Sequence, residues 1–464
     1  MAQKPHQIDS DEKETNMPKR IVIIGAHAAG VDAAAAARKT DRTAEIALVT
    51  EEKYQGYSRC GLPFVIGGQI PRFHDLIVYP PAFFQMMKLT LKTETKATNI
   101  NTTNKTVETI DKNGKAETIS YDSLIIATGA SSFMPPIKGK EKQGICSLRT
   151  LEDGEAIDQV VKKGAKTAVV MGAGLIGLET AVALQERGLK VTVVEMLPQI
   201  LPQMLDPDIA KTAQEMLEQK GINIKTGKAV EEILGTQTAT GVVAGGEQFN
   251  ANLIISAFGV RANTQLATNA GIAQGDTKAI KTNARMETSV KDIYAVGDCA
   301  ESTHIVTQKP SLMQFGTVAV RHGKVAGINA AGGYALFTGV LGSSVSRLYD
   351  TDVGSTGLTE GAAQRARIET VTGTISSKTK ADYYPGALPI KVKLVVEKES
   401  QRIIGAQIIG GEEVTQRINA ISFAIQKQMT VRELAKADTA YAPPVCETWE
   451  PMVLAAEMVL MKLK

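Results

Sequence analysis

The sequence predicts an α/β protein with more than one domain, and three observations support this. The chain has 464 residues, more than the roughly 250–300 residues that one hydrophobic core usually supports. Two segments, roughly 150 residues apart, have the same local order of a short apolar strand, a glycine-rich turn and a helix. Strands that alternate with helices in this way form parallel sheets with helices on both faces.

The first of these segments begins with the apolar run 20–24, which predicts a buried strand of a parallel sheet. The glycine-rich turn that follows it reads Gly25-Ala26-His27-Ala28-Ala29-Gly30. Gly25 permits the tight turn, and Gly30 permits close packing between strand and helix. An alanine-rich helix then begins, and its free N–H groups are predicted to bind a pyrophosphate. His27 stands where the motif usually has its middle glycine.

The second segment carries the complete motif. A predicted strand, Thr167–Met171, leads into a full G-x-G-x-x-G turn that reads Gly172-Ala173-Gly174-Leu175-Ile176-Gly177. The next predicted strand, 189–194, ends at Glu195, about 20 residues after the first glycine, as a dinucleotide fingerprint requires. A carboxylate there accepts hydrogen bonds from both ribose hydroxyls of NAD and repels the 2′-phosphate of NADP. NADH is therefore the predicted nicotinamide cofactor, with NADPH as the alternative.

An acidic residue also follows the second predicted strand of the first segment. Glu51 comes shortly after Glu45–Val49, so we predict that its carboxylate binds a ribose hydroxyl of the first nucleotide. One glycine-rich turn is weak evidence, because such turns occur in many folds. Two of them, each between a strand and a helix, predict two Rossmann-like units. A chain that binds two dinucleotides is predicted to pass electrons between them.

Composition argues against several other classes of protein. The net charge is +3 and aromatic residues make up 5% of the chain, unlike the basic, aromatic-rich surface of a nucleic-acid-binding protein. The four cysteines have no C-x-x-C spacing and the five histidines are scattered, so neither a disulfide framework nor a metal site is predicted. No apolar run has the length of a membrane span. Residues 1–18 are polar, without a signal-peptide pattern, which predicts a disordered tail on a cytoplasmic enzyme.

Two further segments resemble motifs of a known family. Residues 121–129, which end in Ala127-Thr128-Gly129, and residues 288–298, which end in Gly297-Asp298, resemble the FAD motifs of FAD-dependent pyridine nucleotide–disulfide oxidoreductases. The resemblance extends over residues 20–464. It implies an α/β fold in which a Rossmann-like FAD domain is interrupted by a Rossmann-like NAD(P) domain and followed by a C-terminal α+β dimerisation domain. The chain is therefore expected to form a homodimer.

The resemblance also implies domain boundaries. The predicted domains are the first part of the FAD domain at 19–145, the NAD(P) domain at 146–275, the second part of the FAD domain at 276–338, and the dimerisation domain at 339–464. The two turns, the acidic residues and the resemblance together predict the residues that bind FAD and NADH. These residues are Gly25, Ala28, Ala29, Gly30, Glu51, Ser58, Ala127, Thr128, Gly129, Gly172, Gly174, Ile176, Gly177, Glu195, Gly259, Gly297 and Asp298.

One cysteine-containing segment indicates a subgroup of this family. The segment Tyr57-Ser58-Arg59-Cys60-Gly61-Leu62-Pro63 resembles the active-site segment of CoA-disulfide reductases, persulfide or sulfur reductases and NADH oxidases. The resemblance implies that Cys60 is the redox-active thiol and that Glu179 lies near the nicotinamide. Tyr383 and Tyr441 match the tyrosines that reach the partner's active site in CoA-disulfide reductases, where we expect them to donate a proton.

The chemistry predicted at Cys60 requires a thiolate, which the start of a helix and a neighbouring cation stabilise. Arg59 precedes the cysteine and Gly61-Leu62-Pro63 has the pattern of a helix start, so both are expected to lower the pKa of the thiol. The predicted activity is NAD(P)H-dependent reduction of a small disulfide, a CoA disulfide or persulfide, or a polysulfide. The alternatives are an NADH oxidase that reduces oxygen, a reductase of a small electron-carrier protein, and an inert packed thiol at Cys60.

Overall fold

The computed structural model describes residues 17–463. The tail that the sequence predicts to be disordered, 1–18, lies outside the described residues except for its last two. The described chain contains two parallel sheets and one antiparallel sheet, each of five strands, together with smaller antiparallel pieces. The α/β fold that the sequence predicts is therefore confirmed.

The first parallel sheet is built around the strand predicted at 20–24. Its strands, in spatial order, are Ile293–Ala295, Ser123–Ile126, Arg20–Ile24, Glu45–Val49 and Thr90–Lys92. Ser123–Ile126 is buried along its whole length, as expected for a parallel strand whose faces are both covered. The strand Ile293–Ala295 joins this sheet only after the chain has formed the second sheet. The first sheet is thus assembled from two distant parts of the sequence.

Two helices, Ala28–Thr40 and Gly316–Ala330, pack on this sheet and on each other. Their backbones approach closely because glycine has no side chain at the contact. A Cβ at Gly323 would lie 2.2 Å from the carbonyl oxygen of Ala29. A small antiparallel sheet belongs to the same part of the chain and has the strands Thr95–Asn101, Thr106–Asp111 and Ala116–Ser120.

The second parallel sheet follows the second glycine-rich turn. Its strands, in spatial order, are Asn223–Lys225, Lys190–Val194, Thr167–Met171, Leu253–Ser256 and Ile145–Cys146. The strand predicted at 189–194 is one residue shorter than expected, and the one predicted at Thr167–Met171 has the predicted bounds. The helices of this part are Leu151–Lys162, Leu175–Glu186 and Pro207–Gln219, and its antiparallel strands are Val230–Leu234, Gly241–Ala244 and Glu247–Asn250.

The C-terminal part is an antiparallel sheet covered by helices. Its strands, in spatial order, are Ser344–Leu348, Thr351–Gly357, Ile403–Gly410, Pro389–Glu397 and Thr370–Lys378. The helices are Glu360–Arg365, Val414–Gln426, Val431–Leu434 and Pro451–Lys462. Ile403–Gly410 is buried at every residue because Val414–Gln426 packs on it and Pro207–Gln219 reaches it from the second sheet.

The remaining elements are short. The α-helices are Leu62–Ile66, Pro81–Met86 and Gln265–Asn269, and the 3-10 turns are Arg59–Gly61, Phe73–Leu76 and Gly297–Cys299. Two-stranded pairs join Ala130–Ser132 to Val260–Ala262 and Ser302–Thr303 to Pro310–Ser311. Within residues 17–463, no helix has both the length and the apolar composition that crossing a bilayer requires.

The helix Leu175–Glu186 of the second unit contacts both the cysteine segment and the C-terminal sheet. On one side it packs against Leu62–Ile66, the helix that follows Cys60, and on another it packs against the strand Ser344–Leu348. Arg187, directly after this helix, donates a hydrogen bond from Nη1 to the carbonyl oxygen of Ile66 at 2.8 Å. The second sheet and the C-terminal sheet are therefore both connected to the cysteine segment through one helix.

Candidate active site

The first glycine-rich turn has the geometry of a nucleotide-binding turn. Gly25 has a φ of +118°, and a Cβ there would lie 2.1 Å from the carbonyl oxygen of Ala127. A Cβ at Gly30 would lie 1.9 Å from the carbonyl oxygen of Gly25. The helix Ala28–Thr40 begins without a side-chain cap, so the N–H groups of its first turn are available to a pyrophosphate. The turn thus fits the phosphates of a bound dinucleotide.

The two predicted FAD motifs are adjacent to this turn. A Cβ at Gly297 would lie 3.0 Å from the Cβ of Ala29, so the second motif approaches the start of the helix that follows Gly30. Thr128 donates from Oγ1 to the carbonyl oxygen of Asn263 at 2.7 Å, and Asn263 donates from Nδ2 to the carbonyl oxygen of Thr128 at 3.0 Å. Asn263 lies outside the two glycine-rich turns and both FAD motifs, so no sequence pattern indicated this contact.

Three hydrogen bonds hold Asp298 and its neighbour Gly297. Arg149 donates from Nη2 to Asp298 Oδ2 at 3.0 Å, and Gln314 donates from Nε2 to the carbonyl oxygen of Asp298 at 3.1 Å. The backbone N–H of Gly297 donates to Nδ1 of the buried His322 at 3.3 Å. Burial lowers the pKa of His322 to about 4, so this ring is a neutral acceptor at physiological pH. Arg149 lies outside every sequence motif, and only its contact with Asp298 in the fold identifies it as a site residue.

The acidic residues after Glu45–Val49 have different surroundings from those expected. Glu51, which we predicted to bind a ribose, has a side chain that is 66% exposed and forms an ion pair with Lys96 at 3.2 Å. Glu52 faces inward, accepts a hydrogen bond from Tyr57 Oη at 2.7 Å, and lies 3.0 Å from His27 Nε2. Ribose binding by Glu51 stays a prediction.

The segment before the cysteine is fixed by the same carboxylate. Glu52 also forms an ion pair with the Arg59 guanidinium. Arg59 in addition donates a hydrogen bond from Nη1 to the carbonyl oxygen of Arg149 at 2.6 Å. Ser58 donates its backbone N–H to the carbonyl oxygen of Leu76 at 2.9 Å. The backbone leading to Cys60 is therefore anchored on both sides.

The second glycine-rich turn is closed by backbone contacts and remains open at its middle glycine. Gly172 has a φ of +111°, and a Cβ at Gly177 would lie 2.1 Å from the carbonyl oxygen of Gly172. A Cβ at Gly174 would meet no atom within 4 Å, which leaves space for a ligand close to the backbone. Ile176 is exposed beside it, and Gly259, at the end of the neighbouring strand, has a φ of +95°.

Glu195 lies against this second turn. Its carboxylate accepts the backbone N–H of Ala173 at 2.8 Å through Oε2 and that of Leu197 at 2.8 Å through Oε1. The residue is therefore at the turn where the fingerprint predicts it. Its contact with a ribose stays a prediction.

Cys60 lies in the 3-10 turn Arg59–Gly61, directly before the helix Leu62–Ile66. The thiol is accessible, but the atoms packed around it raise its pKa by desolvation, and the negative charges of Glu179 and Asp298 raise it further. Arg149 is the cation that opposes this rise. The expectation of a lowered thiol pKa is wrong, because burial and the charges of Glu179 and Asp298 outweigh the effect of Arg149. Arg59 is paired with Glu52.

Glu179 approaches Cys60 from the opposite nucleotide unit. It lies in the second turn of the helix Leu175–Glu186, and burial raises the pKa of its carboxyl. Ser346 Oγ donates a hydrogen bond to Glu179 Oε1 at 2.7 Å, which opposes that rise. Two negative charges therefore act on the Cys60 thiol, that of Asp298 from the first unit and that of Glu179 from the second.

The two tyrosines predicted to take part in catalysis lie together on the surface of the C-terminal part. Their hydroxyls are 3.0 Å apart, and Tyr383 is 74% exposed and Tyr441 is 43% exposed. Cys446 follows in the same segment, and its thiol accepts the N–H of Ala442 at 3.3 Å and donates to the carbonyl oxygen of Ala440 at 3.2 Å. The approach of the tyrosines to a partner's Cys60 stays a prediction.

Comparison with known proteins agrees with this arrangement. Residues 19–323 match the family model described as pyridine nucleotide-disulphide oxidoreductase, and residues 347–453 match the model for its dimerisation domain. The chain is 43% identical over 446 residues to a protein of Methanocaldococcus jannaschii named NADH oxidase, covering 96% of this chain and 99% of that protein.

Two further relatives have names that refer to sulfur chemistry. A Pyrococcus furiosus protein named NAD(P)H sulfur oxidoreductase (CoA-dependent) is 33% identical over 442 residues, which cover 95% of this chain and 99% of that protein. The solved structure of an NAD-dependent persulfide reductase from A. fulgidus is 39% identical, with a TM-score of 0.93 over 96% of this chain and 83% of that chain. The chain belongs to the pyridine nucleotide-disulphide oxidoreductase family, whose members use FAD and a pyridine nucleotide.

Proposed function

We propose that this protein is an NADH-dependent flavoenzyme that reduces a small disulfide, a persulfide or a polysulfide at Cys60. The observation that carries the proposal is the meeting of both nucleotide units at this thiol. Asp298, from the first unit, and Glu179, from the second, each act on the Cys60 sulfur by their charge. A thiol between a flavin-binding unit and a nicotinamide-binding unit is suited to receive two electrons.

The residues around the first turn fit FAD. The uncapped helix start at Ala28 and Ala29 would bind the pyrophosphate, and Asp298, held by Arg149, would bind the ribityl chain. FAD supplies, when bound, the chemistry that moves two electrons from a nicotinamide to a sulfur. On the second unit, Gly174 leaves room for the pyrophosphate of NADH, and Glu195 would accept the ribose hydroxyls.

The reaction of the chain itself takes place at the Cys60 sulfur. The thiolate attacks one sulfur of the substrate, an Sγ–S bond forms, and the substrate S–S bond breaks. The leaving thiolate takes one proton. Two electrons from NADH then break the Sγ–S bond, which regenerates the Cys60 thiolate, and the second sulfur takes a second proton and leaves as the second thiol. Overall, NADH and one proton reduce one disulfide to two thiols.

We infer that the proton for the leaving thiolate comes from the partner subunit of a homodimer. Tyr383 and Tyr441 share a hydrogen bond on an exposed surface, which places two phenolic O–H groups side by side. Exposed apolar side chains lie on the same C-terminal part, as expected for a surface that a second copy covers. They are Phe423, Val445, Trp449 and Met461.

A second candidate is the reduction of oxygen by the same protein. The relative from Methanocaldococcus jannaschii, which covers nearly the whole chain, is named NADH oxidase. In that case the Cys60 thiol would cycle through a sulfenic acid. The cofactor sites would be the same for this reaction.

For either activity, the unpaired cysteines of the described chain favour a reducing compartment, the cytoplasm.

Cys60→Ser tests the proposal directly. In the FAD-loaded enzyme we expect the variant to lose anaerobic NADH turnover with CoA disulfide or polysulfide by about a thousandfold, because serine cannot form the Sγ–S bond. Its flavin content is expected to equal that of the wild type. Cys446→Ser is the matched control and should retain turnover. Undiminished disulfide reduction by Cys60→Ser would refute the proposal, and turnover that requires oxygen alone would favour the oxidase.

A further inference from the structure

A serine of the C-terminal sheet contacts Glu179, one of the two acidic residues whose charges act on Cys60. Ser346 lies in the strand Ser344–Leu348, is 3% exposed, and donates from Oγ to Glu179 Oε1 at 2.7 Å. Directly after the same strand, Tyr349 Oη donates to Gln185 Oε1 at 3.0 Å. The helix Leu175–Glu186 is thus hydrogen-bonded to the C-terminal part at two positions, Glu179 in its second turn and Gln185 near its end.

The same helix also contacts the cysteine segment. The helix Leu62–Ile66, which follows Cys60, packs on it. Glu179 therefore lies on a helix that is hydrogen-bonded to the C-terminal sheet and also packs against the segment of the redox thiol. A change at Ser346 can reach Cys60 through this single carboxylate.

We propose that Ser346 is a positioning residue for the redox thiol: its hydroxyl holds the Glu179 carboxylate in place on the helix that packs against the Cys60 segment. The proposal rests on the proposed function only in taking Cys60 as the reacting thiol. It assigns to the C-terminal part, which the family comparison relates to dimerisation, a contribution to the chemistry of its own subunit's active site.

The direction of the effect follows from the groups around each residue. Burial raises the pKa of Glu179, and the hydrogen bond from Ser346 lowers it. At Cys60, burial and the charges of Glu179 and Asp298 raise the pKa of the thiol, and Arg149 lowers it. Removing the Ser346 hydroxyl leaves Glu179 more often neutral, so one of the negative charges that disfavour the thiolate is weakened. The pKa of Cys60 should therefore fall.

Ser346→Ala tests this in the FAD-loaded enzyme without substrate. The pH dependence of iodoacetamide alkylation at Cys60, read from its peptide by mass spectrometry, reports the thiolate fraction. We expect a lower apparent pKa and a rate at neutral pH that is about two- to fivefold higher than in the wild type. Ser344→Ala, two residues earlier on the same face of the strand, is the matched control and should titrate like the wild type.

A second variant identifies the route of the effect. In Glu179→Gln the side chain carries no charge, so Cys60 should alkylate faster, and adding Ser346→Ala should change the titration no further. Ser346→Thr keeps a hydroxyl and should retain the wild-type titration. A wild-type titration in Ser346→Ala, or an equal shift in the Glu179→Gln background, would overturn the proposal. Because alkylation requires no turnover, failure of the proposed function would appear only in the Cys60→Ser assay.

Discussion

The two nucleotide turns of this chain have the same outline, but the acidic residue beside each turn makes different contacts. In the second unit, Glu195 accepts the backbone N–H of Ala173, within the turn itself. In the first unit, Glu52 contacts His27, which replaces the middle glycine of the turn. The same carboxylate accepts a hydrogen bond from Tyr57, three residues before Cys60.

The difference teaches how one fold serves two kinds of ligand. The first turn is tied through His27 and Glu52 to the segment that carries Cys60, so a flavin bound there would have a fixed position relative to the thiol. At the second turn the acidic residue contacts only its own unit: the Glu195 carboxylate accepts the backbone N–H groups of Ala173 and Leu197, and Gly174 leaves the turn open. A nicotinamide cofactor must enter and leave in every cycle, whereas a flavin stays bound. The proposed roles of the two turns therefore match their construction.

The largest expected effect comes from replacing the last glycine of each turn by alanine, in two separate variants. Gly30→Ala and Gly177→Ala each place a Cβ about 2 Å from a carbonyl oxygen of their own turn. We expect Gly30→Ala to lose FAD almost completely, because the flavin turn cannot close. Gly177→Ala should keep FAD and lose its reduction by NADH. Flavin absorbance and anaerobic stopped-flow reduction measure the two outcomes.

Gly361→Ala is the control for these variants, because its Cβ would meet only the ordinary contacts of a helical residue far from both turns in sequence. It should retain both FAD and reduction by NADH. If Gly30→Ala kept its flavin while Gly177→Ala lost it, the assignment of the two turns would be reversed.

The next effect concerns the tie itself. Burial raises the pKa of Glu52, but the contacts with His27, Arg59 and Tyr57 outweigh burial and lower it to about 2. A carboxyl whose pKa is depressed in the folded state adds stability above its unfolded pKa, and this stability is lost as the pH falls through the folded value. We expect Glu52→Gln to reduce the free energy of unfolding by about 1–3 kcal/mol at neutral pH. The difference from the wild type should shrink between pH 4.5 and about 2.

Denaturant unfolding across this pH range measures the effect. Glu51→Gln is the matched control, because its exposed ion pair with Lys96 should contribute less than about 1 kcal/mol. An equal loss in both variants, or a loss in Glu52→Gln that does not depend on pH, would show that the contacts of Glu52 do not tie the turn.

The sequence predicted the features of this contrast that are local. Strand periodicity and the glycine spacing lie within a few residues of each other, so the strands and both turns could be found, and the ~20-residue spacing located Glu195. Glu52 faces inward and Glu51 does not, because Glu52 contacts His27 and Tyr57 in the folded chain. No local sequence pattern predicts these contacts. Arg149 and Ser346 lie 149 and 167 residues from the carboxylates they contact. Their roles depend on the tertiary fold and could not be predicted from spacing.

The smallest expected effect concerns Glu195 at the second turn and the binding of NADH. In Glu195→Gln one of the two backbone N–H groups of Ala173 and Leu197 loses its acceptor, and the negative charge at the ribose position is removed. We expect the KM for NADH to rise by about three- to tenfold, and the preference for NADH over NADPH to weaken because a 2′-phosphate is no longer repelled. The FAD content should not change, since the Glu195 carboxylate contacts Ala173 and Leu197, which both belong to the second unit. Steady-state kinetics with both nucleotides measures the ratio, and Glu215→Gln, a surface residue of the same unit paired with Lys211, is the control. A variant that keeps its preference for NADH would restrict Glu195 to holding the turn, and the second unit would then select its nucleotide by other residues.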